Sequence, residues 1–422
     1  MTRMKKIFFT SAAIVALLLI AGYGYLQFRK YDSFKVHIHQ EASLLLKVDV
    51  DALIFEMGYG SKQDKRNVPR GLSVPANVFI YNLRSKSPLT FFCTLPVKDT
   101  AELRNYLSKG MNVSVKGRNL NGEQSGQSKD GRLTVLYNAK NIAISYSVQK
   151  ENVTGILNDI LNGQHVLDSD DSKLQQLKKS GAHFSYTFDK YNGTGNIKDN
   201  LLVMTGSFPI AQLAVPDKSI QAVNLIPKPV LKIWLNAKLN NLLSHKVLNL
   251  KNFPLPLDSV ANYYGGYAAV ELGTYITQES EEVTYDYNDD FEKVEQVKTK
   301  KVKVPELTAL IMGKTIPLVS YLYKNNILQD NMLNKDMFPL YNVYTGNDES
   351  KLLLSTAKAV RKPPAIVSAP YFFSASIDFN QIRKSSQFPL IDSYIKPFHD
   401  LKATAKKENA STGQFDLELK LN

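Results

Sequence analysis

Thr412-Gly413-Gln414-Phe415-Asp416-Leu417-Glu418-Leu419-Lys420-Leu421 decides the fold. Phe415, Leu417, Leu419 and Leu421 alternate with polar residues, the period-two signature of a strand with one buried face. Its opening tetrad, Thr-Gly-Gln-Phe, matches Thr205-Gly206-Ser207-Phe208 in the first half of the chain. Working back from these two tetrads, further pairs appear in the same order. Ala182-His183-Phe184-Ser185-Tyr186-Thr187-Phe188-Asp189 resembles Tyr371-Phe372-Phe373-Ser374-Ala375-Ser376-Ile377-Asp378. The apolar opening Leu44–Leu53 resembles Val230–Leu239, each read as a strand running into a short helix. Leu89–Phe92 followed by a helix at Asp99–Lys109 parallels Leu307–Leu310 followed by a helix at Ile316–Asn325. A shared order of features predicts an internal duplication, with a linking segment between Val215 and Pro227.

The local signals are those of strands with fewer helices. Asp99 is placed to cap the helix that follows it, with Glu102 three residues on. Asp171–Lys179 puts Leu174 and Leu177 on one helical face. Gly131–Ser147 alternates as a hairpin turning at Asn138-Ala139-Lys140-Asn141, and the polar, glycine-bearing Asn119–Gly131 reads as a loop or long turn. Grouped strands and helices point to α+β with largely antiparallel sheets.

Composition sets the limits. The chain has 422 residues, 44% hydrophobic and 22% charged, enough for two cores and too apolar for wholesale disorder. Its 22 Tyr and 20 Phe suit pleated surfaces. The formal net charge is +13, but the lysines are scattered and no arginine cluster appears, which argues for solubility and against a nucleic-acid partner. A single cysteine, Cys93, sits in an apolar run and can form no internal disulfide.

Arg3, Lys5 and Lys6 precede an uncharged stretch, Ile7–Phe28. At 1.5 Å per residue such a stretch is long enough to cross ~30 Å of hydrocarbon. The expectation is a transmembrane anchor at 7–28, a cytoplasmic leader at 1–6, and the bulk of a single-pass bacterial inner-membrane protein in the periplasm. The rival reading is a signal peptide cleaved after Gly24.

No catalytic motif survives inspection. Gly313-Lys314-Thr315 lacks the earlier glycine of a phosphate loop, since position 308 is Thr. Ser147-Val148-Gln149-Lys150 and Ser393-Tyr394-Ile395-Lys396 lack the partner motifs of penicillin-recognising enzymes. Asp286, Asn288 and Asp290 start like a calcium loop, but Phe291 replaces the turn glycine and Val297 the final glutamate. His37 and His39 alternate as on one face of a strand, with no third ligand. No catalytic, cofactor-binding or metal residue is therefore assigned, and no cofactor is expected.

One segment stands out. Tyr275–Val304 is acidic first (Glu279, Glu281, Glu282, Asp286, Asp289, Asp290, Glu292, Glu295) and basic afterwards (Lys298, Lys300, Lys301, Lys303). It reads as a hairpin, 275–304, turning near Asn288-Asp289-Asp290 with opposite charges facing across the strands. Its candidate partner-docking residues are Glu281, Glu282, Asp286, Asp289, Asp290, Lys298, Lys300, Lys301 and Lys303. The first half has no counterpart.

The uncharged N-terminal run, the Leu44–Leu53 opening, the two-part repeat and the closing Thr412–Leu419 strand together resemble the uncharacterised membrane-anchored envelope proteins of Bacteroidota. The resemblance implies an extracytoplasmic α+β protein and carries over no site residues. The expectation is thus α+β: an N-terminal transmembrane helix followed by two similar, largely antiparallel sheet domains with packed helices, at 37–215 and 228–422. The expected role is a membrane-tethered binding or scaffolding protein whose partner is an envelope protein, a glycan or a lipid. Lipid or lipopolysaccharide handling is the alternative, and an unrecognised hydrolase a weaker one.

Overall fold

A computed structural model describes residues 22–57, 70–117, 122–239, 247–250, 253–287, 293–336, 338–358, 364–385 and 392–422. The chain divides into two compact units between Lys198 and Asp199. Among the described residues antiparallel strands outweigh helices in both units.

Unit 1 contains β1 (Ala42–Asp49), β2 (Asn77–Leu83), β3 (Thr90–Pro96), β4 (Val113–Val115), β5 (Gln124–Ser128), β6 (Leu133–Tyr137), β7 (Asn141–Ser147), β8 (Phe184–Phe188) and β9 (Tyr191–Lys198). They pair antiparallel in the order β9-β8-β1-β2-β3-β7-β6-β5-β4. β1 alternates strictly from Leu45 onward, with Leu45, Lys47 and Asp49 buried. Leu45, Phe79, Tyr81 and Phe92 meet Leu157 and Ile160 of the helix Thr154–Asn162 and Leu174 and Leu177 of the helix Ser172–Lys179. Asp171 caps the second of these helices by accepting from the Lys173 amide at 2.8 Å. Asp99 likewise accepts from Ala101 and Glu102. Its α-helix ends at Asn105 and continues as a π-helical turn, Tyr106–Gly110.

The stretch Asn119–Gly131, which reads as a loop or a long hairpin turn, holds β5 over Gln124–Ser128. Its polarity misled: Gln124 is buried and accepts from the Tyr137 hydroxyl at 3.2 Å. Gly126 has no Cβ because one would lie 2.7 Å from Val113 Cγ1 and 3.1 Å from Val135 Cγ2. Backbone pairing and close packing, not side-chain pattern, make this strand.

Unit 2 contains β10 (Leu201–Pro209), β11 (Ser219–Ala222), β12 (Leu231–Leu235), β13 (Val247–Leu250), β14 (Phe253–Pro256), β15 (Tyr264–Tyr287), β16 (Lys293–Gly313), β17 (Leu328–Gln329), β18 (Met332–Leu333), β19 (Tyr344–Asn347), β20 (Lys351–Ser355), β21 (Ile366–Ala369), β22 (Phe373–Asp378), β23 (Phe398–Lys407) and β24 (Thr412–Leu421). Its main sheet runs β10-β24-β23-β22-β12-β15-β16-β20-β19-β18-β17. β11 pairs with β21 and β13 with β14. The segment 215–227 thus carries a strand of its own. Trp234, Tyr267, Leu310 and Leu353 form the core under it.

The units share one order of connection. β1 lies between β2 and β8 as β12 lies between β15 and β22. From there β2-β3-β7-β6-β5-β4 corresponds to β15-β16-β20-β19-β18-β17. The tetrads have a physical reason as well. β10 and β24 pair antiparallel with Ser207 opposite Gln414 and Phe208 opposite Gly413. A Cβ on Gly413 would lie 2.9 Å from the Phe208 ring and 2.7 Å from Ile210, so the glycine makes room for the phenylalanine.

The expected transmembrane helix, and with it the signal-anchor topology, is corrected. Among the described residues no helix is long and apolar enough to cross a membrane. Positions 7–21, like the leader 1–6, lie outside the described residues. Residues 22–28 belong to a helix that runs on to Ser33 through charged positions. Arg29 forms a bidentate pair with Asp51, at 2.8 and 3.1 Å, and Lys30 pairs with Asp49 at 3.2 Å. This helix docks on unit 1 by ion pairs. Against the expected transmembrane helix followed by two similar, largely antiparallel sheet domains with packed helices, the described residues form two sheet-dominated units with minor helices and no membrane-spanning helix.

Candidate functional site

β15 and β16 are far longer than their neighbours. Their inner ends lie inside the sheet: β12 covers Ala268–Leu272 and β20 covers Thr308–Met312. A register shift between Leu272 and Tyr275 marks a bulge in the ladder. Such bulges bend strands and end regular pairing. From Tyr275↔Pro305 to Tyr287↔Lys293 the two strands pair only with each other among the described residues. The corresponding hairpin of unit 1 stops at Leu83 and resumes at Thr90. The arm is thus an extension of one hairpin that the shared topology does not require.

The root of the arm is clamped. Gln278 is buried; its amide donates to the carbonyls of Asn342 at 2.7 Å and Thr356 at 2.6 Å and accepts from the Asn342 amide at 3.0 Å. The Thr356 hydroxyl donates to the Pro305 carbonyl and accepts from the Leu307 amide, both at 2.9 Å. The Tyr275 hydroxyl donates to the Ser385 carbonyl. Deeper in the sheet, Tyr267 accepts from the Ala222 amide at 2.7 Å, and burial pushes its hydroxyl up to about 12. Glu271 is 1% exposed, accepts from the Leu225 and Ile226 amides at 2.8 and 2.9 Å, and pairs with Lys232 at 3.1 Å.

Beyond Gln278 the ladder continues for nine positions, Glu279↔Lys301 to Tyr287↔Lys293. At ~3.4 Å per residue that is a projection of about 30 Å. Two opposite-charge pairs are in direct register, Glu279↔Lys301 and Glu282↔Lys298. Others are not: Glu281 lies opposite Thr299, Asp286 opposite Val294, Lys300 opposite Ser280 and Lys303 opposite Thr277. Lys300, Lys301 and Lys303 are exposed, as is Glu279. Asp289 and Asp290 lie outside the described residues. Exposed pairs contribute at most about 1 kcal/mol each, and an isolated two-stranded ribbon is marginal in water. The cross-strand charges alone do not account for a ribbon of this length.

The other sequence candidates resolve into structure. Gly313 of Gly-Lys-Thr is a packing glycine: a Cβ there would fall 2.1 Å from the Tyr263 carbonyl. His37 Nδ1 lies 2.9 Å from the Ile160 carbonyl, while His39 Nδ1 accepts from the Glu41 amide at 3.2 Å. Asp159 sits between His39, at 3.9 Å, and His165, at 3.1 Å, a grouping the sequence does not display because His39, ahead of β1, and the Thr154–Asn162 helix are distant in the chain. Burial lowers the His39 pKa. No group of three among the described residues is arranged to hold a metal ion. Burial pushes the Cys93 thiol up to about 12, far from a reactive thiolate. Sequence reasoning also missed an apolar surface on unit 1. Phe55 is 89% exposed and, with Tyr25, Leu26 and Ile54, lines an open depression of about 820 Å³ that also holds Arg29 and Asp51.

No family model matches the chain, and no curated protein matches it. Solved structures of TP0453 align with it distantly. Crystal form IV is 12% identical, with a TM-score of 0.28 over 40% of this chain and 77% of that one. Crystal forms I and III are each 10% identical, with TM-scores of 0.24 and 0.25, covering 78% of this chain and 91% and 92% of theirs. TM-scores this low establish no shared fold.

Proposed function

We propose that this chain is a binding or scaffolding protein that engages a partner protein through the ribbon arm of unit 2. One observation carries the reading. Nine paired positions project past the last clamped rung, on a hairpin whose equivalent in unit 1 closes directly. Strands without a core are retained at a cost in stability, and free strand edges invite association. An address in the cell envelope is part of the proposal and rests on sequence: a basic leader, Arg3, Lys5 and Lys6, ahead of an uncharged run. Lipid handling has less support, because the apolar depression on unit 1 is open and carries charged side chains, whereas a lipid carrier encloses its ligand in an apolar cavity.

Site-specific photocrosslinking tests the proposal. A photoreactive residue at Lys300 is expected to capture one partner in the source envelope, and one at Lys109 on unit 1 is expected not to. Equal capture from both positions, or none from Lys300, would refute it.

A further inference from the structure

We propose that the outer edge of β16, from Lys303 towards Lys293, accepts an extended acidic segment of the partner as an added antiparallel or parallel strand. This rests on the arm being the docking element, and it names the edge and the chemistry of the occupant.

Three observations converge. First, the edge is open. β20 pairs with Thr308–Met312 only, and Thr356 covers the Pro305 carbonyl. Further out, β16 has β15 on one side and no second strand among the described residues. Alternate backbone N–H and C=O groups there face outward, the template that strand addition uses. Second, the inner part of the edge is basic, Glu295 being the one acid on β16 between Lys293 and Lys303. Lys300, Lys301 and Lys303 are all exposed. By strand alternation Lys301 and Lys303 share one face of the ribbon and Lys300 lies on the other. The matching strand is therefore acidic at consecutive positions, not at alternate ones. Cross-strand neighbours sit ~5 Å apart at Cβ, within reach of a Lys–Glu pair. Third, the alternatives are disfavoured. A second copy pairing β16 with β16 sets lysines against lysines, which is destabilising. The β15 edge is flanked at its root by the helix Phe379–Ser385, through the Tyr275–Ser385 hydrogen bond. The net charge of +13 also steers an anionic segment toward the protein.

The probe is a synthetic, end-blocked peptide with consecutive glutamates between threonines and valines. A control peptide of the same sequence carries backbone N-methyl groups at alternate residues, which keeps the charge and removes the outward donors. The intact chain is expected to bind the first peptide and to lose affinity for the control. Hydrogen exchange is expected to show new protection at Lys298–Lys303 and none along β15. Triple substitution Lys300→Glu, Lys301→Glu, Lys303→Glu is expected to weaken binding about 10- to 100-fold, at up to roughly fivefold per exposed pair. Equal binding of the N-methylated peptide, or protection on β15 instead, would overturn the edge assignment. A variant with residues 279–301 replaced by Asn-Gly, which closes on the Gln278↔Val302 rung, separates the two levels. If it binds the peptide as well as the intact chain, the arm reading itself fails. If it loses the peptide while the β16 edge stays unprotected in the intact chain, only the edge assignment fails.

Discussion

Replacing Glu271 by glutamine keeps the shape of the most deeply buried carboxylate among the described residues of unit 2 and removes its charge. Glu271 Oε2 accepts both the Leu225 and Ile226 amides, and Oε1 faces Lys232 Nζ at 3.1 Å. Glutamine can offer one oxygen to the two amides, but its NH₂ then points at the ammonium, donor against donor. Breaking a buried pair costs about 3–5 kcal/mol when the remaining charge is trapped. Lys232 is not fully trapped: its side chain is 23% exposed and already donates to Asn224 at 2.8 Å. The low end, about 3 kcal/mol, is therefore expected. At roughly 2–4 °C per kcal/mol for a unit of this size, the Tm of unit 2 falls by about 6–12 °C. Differential scanning calorimetry of the full chain, with the Lys232→Met single and the double variant, measures the pair term by a cycle. The double variant is expected to recover part of the loss. A Glu271→Gln Tm within 2 °C of the parent would refute the claim that this carboxylate anchors the 225–226 segment.

Three further outcomes follow from the packing. His39 is held neutral by burial and by accepting the Glu41 amide at Nδ1, so its folded pKa lies below its unfolded value. Its stabilising contribution is present above the unfolded pKa, ~6.5, and is lost as pH falls below that value; the Tm of unit 1 is expected to drop between pH 7 and 5, and His39→Asn to flatten that slope. Gly413→Ala drives a methyl into the Phe208 ring and Ile210, at an expected cost of about 1–3 kcal/mol in urea unfolding, partly relieved by Phe208→Leu. Cys93 is expected to resist a thiol reagent at pH 8 in the folded chain and to react fully in denaturant.

Much of the sheet is written in side-chain period. β24 keeps Asp416, Glu418 and Lys420 exposed between half-buried leucines, and Asp99 caps its helix where its spacing places it. Period carries less information where backbone closeness decides. Gln124–Ser128 reads as loop because Gly126 and Gln124 are polar or small, yet both are required by Val113, Val135 and Tyr137. The N-terminal run misled differently. Its uncharged length suggested a membrane span, whereas residues 22–33 are governed by the ion pairs of Arg29 and Lys30 with Asp51 and Asp49, whose proximity no local pattern reveals. The charged arm was legible as a hairpin because two long runs of opposite sign flank a polar turn. Its register, which sets Glu281 against Thr299 and Asp286 against Val294, was not, because a bulge at Leu272–Tyr275 sets it from the root.

The most direct test of the arm as the docking element is native mass spectrometry of the full chain recovered from its own envelope, compared with a chain in which 279–301 is replaced by Asn-Gly. The account predicts a stoichiometric partner on the intact chain, its absence from the trimmed one, and an unchanged or higher Tm after trimming. A partner retained at equal stoichiometry on the trimmed chain would contradict it.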